Sequence, residues 1–200
     1  MAYKAGVAPL SFAAIFEGTL TPILFAVAIL ADGNWAFELN TLSDLGVSAN
    51  GTVAALFNVT CILSGLCIVI FGFGKKIMSD NLDSKSGLLM GLGGIFLLLV
   101  GIFPKSSIEI HLFVAFSFFI LNGLAMAVCM VSDYRRNRFF VFSFNIVLIL
   151  VLVASTFGFN YKGLEIVYVL CTCAWCIIQG LSLSFSKDYN TESDNRMVIK

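Results

Sequence analysis

The stretch VAALFNVTCILSGLCIVIFGFG, from Val53 to Gly74, runs 22 residues without one charged side chain. An apolar helix of about 20 residues crosses a hydrocarbon layer of about 30 Å, so this stretch predicts a membrane span. Working outward, five more stretches read the same way: Pro9–Leu30, Gly87–Phe103, Ile110–Val131, Phe139–Gly158 and Leu164–Phe185. The third span in chain order is the shortest and begins close behind Lys85. Of the 200 residues, 59% are hydrophobic and 12% charged. A soluble domain carries about 25% charged residues, so the solvent this composition suits is lipid. The expected fold is all-α: a polytopic bundle of six transmembrane helices over residues 1–186, followed by a flexible polar tail over 187–200. Formal charge is zero. That gives no basic excess to hold nucleic acid.

Charge is distributed unevenly between the loops. Lys4, Lys75, Lys76, Lys85, Arg135, Arg136, Arg138, Lys187, Arg196 and Lys200 fall on one side of the six spans, and only Lys105 and Lys162 on the other. The positive-inside rule then places both termini in the cytoplasm of a multi-pass cell-membrane protein. Trp35 and Phe37 follow the first span, where interfacial aromatics belong. Ala26-Val27-Ala28 resembles a signal-cleavage pattern, but the first span is long for a signal core and contains Glu17. It is expected to stay as a span.

Glu17 is the most informative residue. It lies about eight residues into its span, or ~12 Å at ~1.5 Å per residue. A carboxylate at that depth costs several kcal/mol unless paired, hydrated or protonated. Pro22 removes the amide hydrogen that would bond the Gly18 carbonyl and predicts a kink beside it. Asn122, Asn145 and Gln179 fall at similar depths in the fourth, fifth and sixth spans. Amides can donate to a carboxylate. The four residues therefore form a candidate ligand-binding set, a polar pocket for a proton, an ion or a head group. The competing reading is a packing network worth ~1 kcal/mol per interhelical bond.

A second constellation lies on the outer side: Ser43 and Asp44 in the first loop, and His111 at the start of the fourth span. Histidine, aspartate and a nearby hydroxyl are the parts of an acid-base site, which makes these three the catalytic candidates. Capping of a loop turn by Ser43 and Asp44 competes with that. His111 is the only histidine. A zinc hydrolase needs about three ligands, so no metal is expected. No nucleotide fingerprint or H-E-x-x-H motif is present, and no cofactor is expected. The six cysteines all sit in apolar runs and read as small packing residues, including Cys173-Ala-Trp-Cys176. Gly87 and Gly91, followed by Gly93 and Gly94, predict close helix packing. Asn50-Gly51-Thr52 is a glycosylation triplet on the outer side.

Several of these stretches also carry a resemblance. Leu42-Ser43-Asp44-Leu45-Gly46, Ala55-Leu56-Phe57-Asn58, Leu63-Ser64-Gly65-Leu66, Gly101-Ile102-Phe103-Pro104 and His111-Leu112 together resemble the prokaryotic six-span family termed domain of unknown function 998. The resemblance covers roughly residues 8 to 185. It implies a compact six-helix membrane fold with Asp44 and His111 on the outer side, and no established activity. The Ser-Asp-Leu-Gly loop is also faintly similar to that of the Frag1/DRAM/Sfk1 six-span proteins, some linked to lipid-anchor remodelling. The functional expectation is a non-catalytic membrane protein that binds a lipid or apolar ligand or supports a complex. An outer-leaflet lipid-modifying enzyme using His111 and Asp44, and a proton- or ion-coupled transporter centred on Glu17, are the alternatives. Expected partners are membrane lipids and, in a homo-oligomer or a larger membrane complex, other protein.

Overall fold

The computed structural model describes residues 2–185, with side chains from residue 8 onward; the expected tail over 187–200 lies outside the described residues. Six helices follow one another: α1 (Ala2–Asp32), α2 (Gly51–Met78), α3 (Asn81–Ile102), α4 (Ile108–Arg135), α5 (Phe139–Gly158) and α6 (Tyr161–Phe185). All six are long and apolar enough to cross a membrane. There is no strand among the described residues. The fold is thus the all-α polytopic bundle. α1 runs through both Pro9 and Pro22 as one helix.

Each helix packs on its chain neighbours, and α1 closes the ring against α6. α5 is the most peripheral, burying only Val141, Asn145, Leu148 and Ser155. The connections at one end are the two short turns before α3 and before α5, close to Lys75, Lys85 and Arg135–Arg138; this is the basic end. The opposite, loop end carries 3₁₀ turns at Leu42–Val47 and Lys105–Ser107.

The tightest seam joins α2 to α3, and glycine makes it possible. A Cβ on Gly94 would come within 2.8 Å of the Val69 amide, and one on Gly87 within 2.6 Å of the Lys76 amide. Gly65 and Gly72 make the reciprocal contacts from α2, against Gly94 and Gly91. Backbones in direct contact leave dispersion to hold two helices together where lipid supplies no hydrophobic drive.

The third span corrects the hydropathy reading. α3 starts at Asn81 rather than Gly87 and, at 22 residues, is longer than α5 at 20. Its first turns are polar, yet Asp83 and Ser86 are both completely buried. The reason lies in the other connection at this end. α4 finishes in a Schellman turn: Asn137 takes φ 55°, its amide donates to the Tyr134 carbonyl, and the Arg138 amide donates to the Asp133 carbonyl. Asparagine tolerates the left-handed position that ends the helix. The turn brings Arg138 back under the bundle, where it meets Asp83.

Candidate functional site

Glu17 sits on the face of α1 that packs against α6, and the residue is 3% exposed. Gly18 lets the helices close: a Cβ there would overlap the Cys173 carbonyl and approach Ile177 Cγ1 within 2.6 Å. Glu17 Oε1 lies 3.9 Å from Cys173 Sγ, a weak contact. Among the described residues its Oε2 is buried without a partner at hydrogen-bond distance, and the Cys176 thiol and Thr21 hydroxyl face the carboxyl. Beside it, Thr21 and Ser64 hydrogen-bond each other at 2.5 Å.

These groups form the floor of an internal cavity of about 40 Å³. Its walls are apolar and largely aromatic, with Phe25, Phe57, Leu97, Val100, Phe118 and Val169. Toward the loop end its lining turns polar again with Ser43, His111 and Glu165. Glu165 and Cys173 lie eight residues apart on α6, a rise of ~12 Å. The cavity thus follows the helix axis with a carboxyl at each level. Glu17, Thr21 and Ser64 also line a crevice of about 10 Å³ between α1 and α2, whose other walls include Phe16 and Leu63. Phe16 and Leu63 have large exposed faces, so this crevice borders the lipid-facing surface.

Glu165 carried no signal in the sequence reading, because a single acid in the first turn of a span looks interfacial. Its two oxygens accept the backbone amides of Leu42 and Ser43, each at 3.2 Å, and so tie the first 3₁₀ turn to α6. Asp44 accepts the Thr41 amide at 2.7 Å and an ion pair from Lys105 at 2.6 Å; Lys105 also donates to the Thr41 hydroxyl. Burial alone would raise the Asp44 carboxyl, but the Lys105 ammonium and the Thr41 amide outweigh it and hold the group below its usual value. His111 is buried at 2% exposure, and its Nδ1 lies 2.8 Å from the Phe103 carbonyl. A carbonyl only accepts, so Nδ1 carries hydrogen and donates to it. Asp44 and His111 are therefore held by different partners and share no hydrogen bond.

The amides expected around Glu17 are engaged elsewhere. Asn122 donates to the Phe118 carbonyl of its own helix at 3.1 Å. Asn145 donates to Asp133 at 2.9 Å, and Gln179 accepts from Lys75 at 2.9 Å. Both belong to a buried charge cluster at the basic end. There Arg138 grips both oxygens of Asp83 at 2.9 and 2.8 Å and lies 2.9 Å from Asp133. Arg136 reaches Asp83 at 3.2 Å and Lys75 reaches it at 3.8 Å. Cys129 lies within 3.2 Å of both Lys75 and Gln179. Lys75 and Arg138 counted only as loop charges in the sequence, since lysine and arginine near a span end ordinarily snorkel to water. Among the described residues no cluster of three or more His, Cys, Asp and Glu is placed to hold a metal ion.

Residues 18–182 match the family described as protein of unknown function (DUF998). The chain belongs to the DUF998 family. Within this DUF998 chain the matched region holds both 3₁₀ turns, the whole charge cluster and every cavity residue named above except Glu17, which precedes it by one position. No curated protein and no solved structure matches the chain.

Proposed function

We propose that this DUF998 protein is a non-catalytic, ligand-binding protein of the cell membrane, with both termini cytoplasmic. The ligand is a small amphiphile whose cationic or hydrogen-bond-donating head is held at Glu17. The observation that carries this reading is Glu17 Oε2, an acceptor buried in the bundle without a partner and facing a cavity. A buried acceptor left open costs about 1–3 kcal/mol, which a donor entering the cavity would recover. The sign of the ligand follows from the lining. It offers two carboxyls and one imidazole, and no lysine or arginine among its described residues. A phosphate or carboxylate head would be repelled there.

Size supports a head group rather than a whole lipid. At roughly 10–15 Å³ for each water-sized probe, 40 Å³ holds an ammonium or a few waters and no acyl chain. The crevice between α1 and α2 gives the tail a lipid-facing position beside Phe16 and Leu63. A tail leaving lipid for that crevice gains little, because lipid is as apolar as the helix faces. Recognition then rests on the head. The orientation rests on the ten basic residues against two.

Ion-coupled transport through Glu17 receives less support. Ala14, Ile68, Phe71, Met90 and Trp175, each at most 1% exposed, fill the bundle between Glu17 and the basic end. A cavity blocked on that side supports binding better than conduction. A hydrolytic site receives less support as well, since Asp44 and His111 are held apart by Lys105 and the Phe103 carbonyl.

The test is titration of the detergent-solubilised protein with a long-chain amine and with the alcohol and carboxylate of equal chain length. The amine is expected to bind best and to lose about tenfold or more with Glu17→Gln, in line with ~1.5–3 kcal/mol for a hydrogen bond to a charged group. Equal binding of amine and carboxylate, unaffected by the substitution, would refute the proposal.

A further inference from the structure

The basic end carries a second pocket that the Glu17 cavity does not touch. It is an open surface pocket of about 530 Å³ where the start of α3 meets the end of α4. Its described lining is Asn81, Leu82, Lys85, Ser132, Arg135 and Arg136. Three of these six are cationic and none is acidic. Asp80 precedes Asn81 in the chain but is not part of the lining.

Of these three cations, the Asp83 carboxylate behind the pocket pairs with Arg136. Asp83 is completely buried and already faces Lys75, Arg136 and Arg138. It holds Arg136 through Nε at 3.2 Å, which fixes that guanidinium at the pocket wall. Lys85 and Arg135 are exposed at the rim. Asn81 adds a neutral donor beside the cations, while the buried Ser132 hydroxyl is bonded to Asp83. A guanidinium with fixed orientation, a second one and an ammonium converging on one space match the oxygens of a phosphate. The volume is also in the range of ligand sites, roughly 300–1,000 Å³.

The setting selects the source of that phosphate. The pocket lies at the ends of membrane-spanning helices, and apolar side chains at the same end are exposed: Ile77 at 82% and Tyr134 at 59%. We infer that the pocket binds the phosphate head of an anionic phospholipid, whose acyl chains run along the exposed faces beside Ile77 and Tyr134. Basic pockets between helices at the positively charged side of membrane proteins bind such head groups. The site is independent of the Glu17 reading, which takes a ligand of the opposite charge.

The experiment is native mass spectrometry of the full chain in detergent, titrated with phosphatidylglycerol or phosphatidylcholine of identical chains. The wild type is expected to retain phosphatidylglycerol in clear preference. The double variant Lys85→Gln/Arg135→Gln should lose about fivefold for each basic residue removed, the factor that matches ~1 kcal/mol per Lys or Arg near an anionic surface. Its phosphatidylcholine binding should stay unchanged, which also reports that it is folded. The charge-preserving Lys85→Arg/Arg135→Lys should keep the preference, and Glu17→Gln should leave it untouched. Equal retention of the two lipids, or a double variant that still prefers phosphatidylglycerol, would overturn the inference. So would full displacement of phosphatidylglycerol by millimolar inorganic phosphate, which would make the occupant a free anion.

Discussion

Of the buried carboxyl groups, Asp83 and Glu17 sit under opposite conditions. Asp83 is surrounded by cations, with Arg138 bonded to both oxygens and Arg136 and Lys75 close by. Among the described residues Glu17 has no ionic partner, and one of its oxygens has no partner at hydrogen-bond distance. On the proposed function the first is structural and the second holds a ligand, and stability separates them. Asp83→Asn leaves buried positive charge uncompensated and should cost about 3–5 kcal/mol, read as a large fall in thermal midpoint in detergent. Glu17→Gln removes an unpaired ionisable group and should leave the midpoint unchanged or higher. Asp44 supports a pH prediction. Its carboxyl is held below the usual value, so its contribution to the loop is complete above the ordinary carboxylate range. The contribution disappears as pH falls through the lower folded value. The protection factor of the Thr41 amide against hydrogen exchange should therefore fall in acid, and in Asp44→Asn it should be low at every pH.

At the scale of elements, hydropathy located the helices because each must present apolar side chains to lipid over its whole length. The α5 boundaries match the expected span at both ends. It misplaced the start of α3 because Asn81–Ser86 are polar residues that face protein, and hydropathy cannot tell a buried polar turn from a loop. The glycine spacing of α3 was legible as a packing surface; that its partner is α2 required the fold. Gly94→Leu should therefore cost about 3 kcal/mol, the upper end of overpacking, or abolish assembly. Gly51→Ala, with nothing within 4 Å of the new methyl group, should stay within about 0.5 kcal/mol of the wild type in the same denaturation assay. The α4–α5 turn can be tested in the same way. Asn137→Ala at φ 55° should cost ~1 kcal/mol and Asn137→Gly close to nothing, if the Schellman turn positions Arg138 as described.

At the scale of the whole molecule, the bundle divides into a basic half sealed by Asp83, Asp133, Lys75 and Arg138 and a loop half that holds the cavity. Only part of this division was legible in the sequence. Glu17 stood out because a lone acid deep in a span has no innocent local explanation. Asn145 and Gln179 stood out too, but their partners are Asp133 and Lys75, which hydropathy assigns to the interface. Glu165 is not legible in the sequence because its role depends on two loop amides more than 120 residues away in the chain. The central claim is that the open acceptor on Glu17 is a ligand site. Native mass spectrometry of the gently solubilised protein, wild type beside Glu17→Gln, tests it most directly. A defined adduct on the wild type that is lost or weakened in the variant is the predicted result. Bare protein in both samples, or an adduct held equally by both, would contradict it.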